Sequence, residues 1–183
     1  MTTTSTTPST EASDAPITNF SQCHVGIVAH LATLGELPAL VEAAERARKV
    51  ADETLRFFRD AVYEHHEEEE RELFPAVVAS ATPGDELNRV KDMVAQLTRE
   101  HRQIESMWTQ LEPHLKKVAK GQSDDLPAAT VAALVREYSA HAAFEETEFL
   151  PLSQVILSRN SNHMAALGLS LHMRHVPPAM AYI

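Results

Sequence analysis

The chain has 183 residues and a formal charge of −10 at neutral pH with a pI near 5.4, and its Lys and Arg form no basic stripe, which argues against nucleic acid and anionic membrane as partners. The length suits one domain, and the single cysteine, Cys23, excludes an internal disulfide and points to a reducing cytoplasm. Only five glycines, abundant Ala, Leu, Glu and Arg, and no alternating apolar segment predict an all-helical fold.

Residues 1–16 are Thr, Ser and Pro with almost no apolar content, so a disordered tail is expected there. This start lacks the positive charge and apolar run of a secretory signal, and no stretch is read as long and apolar enough to span a bilayer. A first helix is expected over about Thr18–Leu34, stopped by Gly35 and Pro38 in LGELP. Pro38 opens a short helix at most, and a long second helix follows over about Glu45–Ser80. TPGDE at 82–86 reads as a turn with acidic residues at a helix start, opening a third helix over Asp85–Ala119 that Gly121 closes. SDDLP at 123–127 caps a fourth helix over Pro127–Leu157, and a weaker fifth lies near Asn162–Met173 before Pro177 and Pro178. Four substantial helices with short connections predict an antiparallel four-helix bundle over 17–158, followed by a short extra helix and tail in 159–183.

The chain writes one phrase twice: HHEEEERELFP from His65 and HAAFEETEFLP from His141. Each has a histidine, a glutamate four places on and a proline ten places on. Positions four apart share a helix face, so His65 pairs with Glu69 and His141 with Glu145. Phe58 and Leu73 flank the first pair at helical spacing, Leu134 and Phe149 the second, so both pairs lie on apolar stripes facing the interior. Glu67, Glu68 and Arg71 are expected outside. A carboxylate inside is costly unless paired or bound to a metal. The preceding helices also match: His24 in HVGIVAHLATL and His101 in HRQIESMWTQL stand 41 and 40 residues before the two phrases. Two hairpins of one pattern would bring four histidines and two glutamates together, a donor set for two first-row transition metals, iron above all. Zinc is satisfied by four ligands, and magnesium or calcium would take oxygen alone. Glu105, four after His101, adds a carboxylate with no counterpart in the first hairpin, where Val28 stands.

Other residues read less specifically. His66 points about 100° away from His65 and is expected at the surface or behind the ligands. His30 is off the ligand face, and His114, His163, His172 and His175 have no paired carboxylate. Trp108 reads as core. Tyr138 faces inward and reads first as a core tyrosine, although a phenol near a metal could also donate a hydrogen bond or proton. Cys23 reads as a small buried residue, and Pro75 and Pro151 should kink their helices near the site.

These residues resemble the hemerythrin-like family of HHE cation-binding domains. The likeness covers Ile17 to about Leu157 and rests on His24, His65 with Glu69, His101, and His141 with Glu145, together with LFP at 73–75 and FLP at 149–151. It implies a four-helix bundle around two non-haem irons with an oxo or hydroxo bridge, Glu69 and Glu145 bridging. It further implies His24 and His65 on one iron, and His101 and His141 on the other. The oxygen-carrying members have a histidine where Glu105 stands; an anionic donor there favours the ferric state and redox chemistry or sensing over reversible oxygen carriage. The expected function is binding or reduction of a small oxidant, dioxygen, peroxide or nitric oxide, with catalytic turnover left open. The alternative is an iron or oxygen sensor or a metal-binding module without turnover. The sequence says nothing of oligomeric state.

Overall fold

The computed structural model describes residues 15–122 and 124–159, with side chains from residue 23 onward. Most of the expected tail and the expected fifth helix, with His163, His172 and His175, lie outside the described residues. Those described are helical, with no strand among them.

The chain divides into two compact units, residues 1–47 and 48–183. Helix α1, Ala15–Phe57, begins in the first and ends in the second. It continues through Gly35 and Pro38, where a stop is expected from sequence. A proline inside a helix forfeits one hydrogen bond and crowds the carbonyl four residues back, costing about 3 kcal/mol; the strong helix formers ALVEAAERARKVA that follow favour continuation over a new, costly nucleus. In the first unit Val25, Val28, Leu31, Leu34 and Leu40 are exposed. So are His24 and His30, and Cys23, contrary to the buried position expected for it. The helix Cys23–Ser80 includes a stretch long and apolar enough to cross a membrane, which corrects the view that none approaches that length. His24, His30 and Glu36 in the same region would be costly in hydrocarbon, and the composition equally suits a helix of a protein core.

In the second unit the long helix runs on through a π turn, π1 (Phe58–Val62), α2 (Tyr63–Glu68), a second π turn, π2 (Glu69–Leu73), and α3 (Phe74–Ser80). Helix α4 spans Asp85–Ala119 and α5 spans Ala128–Phe144; a third π turn, π3 (Glu145–Phe149), then leads into α6, Leu150–Ser158. Pro75 and Pro151 do not break their helices. Each follows a π turn, in which the amide of Phe74 reaches the carbonyl of Glu69, and that of Leu150 the carbonyl of Glu145. The wider turn relieves the crowding a proline imposes on an α-helix. The start of α4 is tied by the Glu86 carboxylate, which accepts from the backbone amide of Thr82 at 2.7 Å and from Arg159 after α6 at 2.8 Å. Gly84 supplies the turn before it at φ 111°, a conformation open to glycine.

The buried residues form two apolar clusters. One gathers Leu73, Phe74, Val77, Val90, Leu97 and Phe149 with neighbours from α6. The other gathers Phe58, Val62, Ile104, Trp108, Leu111 and Leu134, with Trp108 stacked on Phe58 at 3.8 Å between ring centroids. On α4 the buried stripe reads Val90, Met93, Leu97, His101, Ile104, Trp108, Leu111, a helical 3–4 spacing in which one position is a histidine. His101 therefore sits where the two apolar clusters meet.

Candidate metal centre

The residues at that junction are polar and buried. His66, His101, His141, Glu69 and Glu145 all expose 6 % or less of their surface. One ligand atom from each of Glu69, His101, His141 and Glu145 lies within 4.8 Å of all the others, and the same holds for His66, His101 and His141. The rings of His66 and His101 stack at 3.9 Å, and His141 stands edge-on to His101 at 4.9 Å.

Each of the three rings is held from behind by a carboxylate. Nδ1 of His66 lies 3.3 Å from Glu105, that of His101 2.8 Å from Glu70, and that of His141 3.0 Å from Glu100. A carboxylate accepts, so each Nδ1 carries the proton. In the neutral rings of His66 and His141 this leaves Nε2 with a lone pair, and at His101 Nε2 becomes a donor once a cation displaces its proton from between Glu69 and Glu70. All three Nε2 atoms are buried and make no hydrogen bond, as is true of one oxygen each of Glu69 and Glu145; within this set His101 Nε2 and the Glu69 oxygen face each other at 3.3 Å. Buried polar atoms are nearly always satisfied, so five orphans in one place form a preorganised donor set. Imidazoles oriented by carboxylates are the usual support of metal ligands, and the mixture of nitrogen and carboxylate oxygen fits a first-row transition metal.

Electrostatics agree with this arrangement. Burial, reinforced by the neighbouring His101, drives His66 down to about 2, so its ring is neutral. His141 is likewise lowered by burial. For His101 burial acts in the same sense, but the carboxylates of Glu69 and Glu70 outweigh it and raise the value. Burial, then the charge of Glu69, push Glu145 up to about 9. Two carboxylates sharing a dry site cannot both ionise cheaply, and a cation between them removes that conflict.

His65 is partly exposed and lies 3.6 Å from Glu69. With Tyr138, Glu69, His141 and Glu145 it lines a cavity of about 280 Å³. The inward place expected for His65 is taken by His66, and π1 supplies the reason. A π turn takes one residue more than an α turn, so the helix beyond it is set back by about one residue's rotation, ~100°. The buried stripe accordingly runs Phe58, Val62, His66, Glu69, Leu73, Val77. Glu67 and Arg71 are outside as expected, whereas Glu68 is 2 % exposed. The signal for His66 was the run 58, 62, 66, 69, 73, which keeps apolar or ligand residues at steps of three and four. Glu105, expected among the metal donors, has its oxygens taken up by His66 and by Arg102 at 2.9 and 3.1 Å. Its side chain stands one bond behind the ring. His24 belongs to the first unit and is exposed, and His114 pairs with Asp124 at 2.7 Å, away from these residues.

Residues 15–153 match the family model described as the hemerythrin HHE cation-binding domain. An uncharacterized protein of Haemophilus influenzae is 25 % identical over 158 residues, which cover 82 % of this chain and 88 % of that protein. No solved structure matches. The two H-x-x-x-E phrases that line the cavity and the buried histidines beside them thus fall within a match covering most of the chain: it belongs to the hemerythrin HHE cation-binding domain family.

Proposed function

We propose that the chain holds two non-haem irons and uses them to bind or reduce a small oxidant such as dioxygen, peroxide or nitric oxide. The observation that carries this reading is the convergence of three orphaned Nε2 atoms and two orphaned carboxylate oxygens in a buried layer. His66, His101 and His141 would hold the metals through Nε2, with Glu69 and Glu145 between them. The finer arrangement is proposed from the repeated sequence phrases: an antiparallel four-helix bundle, with His65 and His24 completing the set; a cytoplasmic setting is proposed from the single cysteine. Iron held there would supply the electrons for binding or reducing such an oxidant.

The protein's own part is positioning and exclusion. Phe74 packs its ring 5.9 Å from that of His101, and the two apolar clusters keep bulk water from the donor layer. The cavity beside Glu69 and Glu145 is several times the ~30 Å³ that one water occupies in the liquid, room for a diatomic molecule or peroxide. Burial, followed by the charges of Glu145 and Glu69, raises the Tyr138 phenol, so it stays protonated and presents an O–H donor to that cavity. Metal analysis with an absorption spectrum tests the proposal. About two irons per chain with oxo-to-iron charge-transfer bands support it; metal-free or zinc-only protein from iron-replete cells overturns it.

A further inference from the structure

Arg102 links two of the three histidines through their carboxylates. One guanidinium nitrogen donates to both oxygens of Glu105, at 3.1 and 2.9 Å, and another donates to Glu70. Glu105 in turn accepts from Nδ1 of His66, and Glu70 from Nδ1 of His101. With the His66 and His101 rings stacked at 3.9 Å, the five side chains close a loop: His66, Glu105, Arg102, Glu70, His101. The third histidine is supported differently. His141 is held by Glu100, whose other oxygen accepts from the neutral amide of Gln96 at 2.8 Å.

We infer that Arg102 is a positioning residue for the metal centre, fixing the orientation and tautomer of His66 and His101 together and placing a positive charge behind that side of the site. The inference rests on the reading of the Nε2 atoms as metal donors. Its chemistry is that of the guanidinium. A planar fork engages two carboxylates at once and cannot lose its proton, whereas lysine offers one point charge. With its charge matched by Arg102, each carboxylate keeps its imidazole proton on Nδ1 without drawing it fully away. Without Arg102, Glu70 and Glu105 repel each other and swing towards solvent, which Arg102 already meets with a side chain 56 % exposed. Both rings would then lose their support while every donor atom remained present.

The test uses the full-length chain and the variants Arg102→Ala and Arg102→Lys, with Arg71→Ala as control, since Arg71 is exposed and pairs with Glu67 and Glu72 instead. Long-range ¹H–¹⁵N spectra of the metal-free protein read the tautomers of His66 and His101. Titration with Co²⁺, followed in the visible spectrum, reads affinity, and voltammetry of iron-loaded protein reads the potential. Arg102→Ala should mix the tautomers, weaken Co²⁺ binding roughly 10-fold, as loss of a supporting partner does, and move the potential negative. Arg102→Lys should restore the potential while recovering only part of the affinity, which separates charge from geometry. Arg71→Ala should match wild type. Unchanged tautomers, affinity and potential in Arg102→Ala would overturn the inference. If wild type itself takes up neither Co²⁺ nor iron, the metal-centre reading falls, and the tautomers of the metal-free variant still decide whether Arg102 positions the rings.

Discussion

His66 and His101 lie face to face, their rings 3.9 Å apart and 5° from parallel; neither Nε2 makes a hydrogen bond, and that of His101 faces a Glu69 oxygen at 3.3 Å. Neutral imidazoles stack without penalty, but two imidazolium ions at this separation would repel strongly, which is part of why His66 is pushed down to about 2. The pair is stable as two metal donors and unstable as two cations.

The first prediction follows from that pair and from π1. His66→Ala removes a buried donor and should lower metal content to about half or less. His65→Ala removes a partly exposed group at the cavity mouth and should have the smaller effect on content, with a larger one on binding of azide or nitric oxide as probes. Metal analysis and ligand titration of both variants check this; the reverse order would restore His65 to the inner position and place π1 elsewhere.

A pH dependence follows from Glu145. Its folded value is about 9 against an ordinary 4.5, so between those values the metal-free fold holds a proton that the unfolded chain has lost. The stability this proton contributes is fully present below pH 4.5 and is lost as pH rises through about 9. His66 acts oppositely: kept neutral in the fold, it costs stability only below its ordinary 6.5. From pH 6.5 to 9 His66 therefore drops out, while His101, whose value Glu69 and Glu70 raise, loses its proton in the same direction as Glu145. Metal-free protein should thus lose stability as pH rises, by up to about 1.4 kcal/mol per pH unit for each such proton. Urea melts across that window measure the slope. Metal-loaded protein should show little of it, because the bound cation takes the proton's place, and calorimetry in two buffers should record proton release on metal uptake at pH 7. A flat profile for the metal-free protein would contradict the assignment.

Much of this was legible in the sequence because helices make spacing into geometry. The repeat of histidine and glutamate four apart placed Glu69, His141 and Glu145 on buried faces, and HRQIESMWTQL, matched to HVGIVAHLATL, singled out His101. What escaped has a common cause. Periodicity arguments assume 3.6 residues per turn throughout, and three π turns break that assumption next to the donors. No single residue type announces a π turn; Pro75 and Pro151 hinted at two, and π1 has no proline at all. The supporting carboxylates Glu70, Glu100 and Glu105 were hidden for another reason. Each meets a histidine 31 to 41 residues distant, a pairing that only the packed helices reveal.

Leu97 tests how far packing supports the donor layer. It is fully buried, one helical turn before His101. Leu97→Ala should cost about 2–5 kcal/mol in metal-free protein through the lost side chain and the cavity it leaves. It should also weaken metal binding, because Leu97 belongs to the same cluster as Phe74, whose ring packs 5.9 Å from that of His101. Chemical denaturation and Co²⁺ titration measure the two effects. Val155, an exposed residue on α6, is the control: Val155→Ala should stay within about 0.5 kcal/mol of wild type.

The last prediction concerns the two histidines of the first unit. In sequence His24 stands before the first phrase as His101 stands before the second, with isoleucine three residues later, a large apolar residue seven later and leucine ten later in both. His30 has no such counterpart. If the repeat reflects a shared task, His24 is a metal ligand as His101 is proposed to be, and the exposed valines and leucines along its helix are apolar surface open to packing. His24→Ala should then lower iron content and change the charge-transfer bands, while His30→Ala should leave both as in wild type. The two substitutions remove the same chemical group from the same exposed helix, so nonspecific loss of helix stability cannot separate them. Thermal melting with and without chelator adds a second measure. A saturating metal at 100 to 1,000 times its dissociation constant stabilises a fold by about 3–4 kcal/mol, and His24→Ala should forfeit much of that increment while the chelated melting point stays near wild type. Equal metal content and equal increments in both variants would show that the centre is complete without His24, and that the repeat on the first helix reflects packing alone.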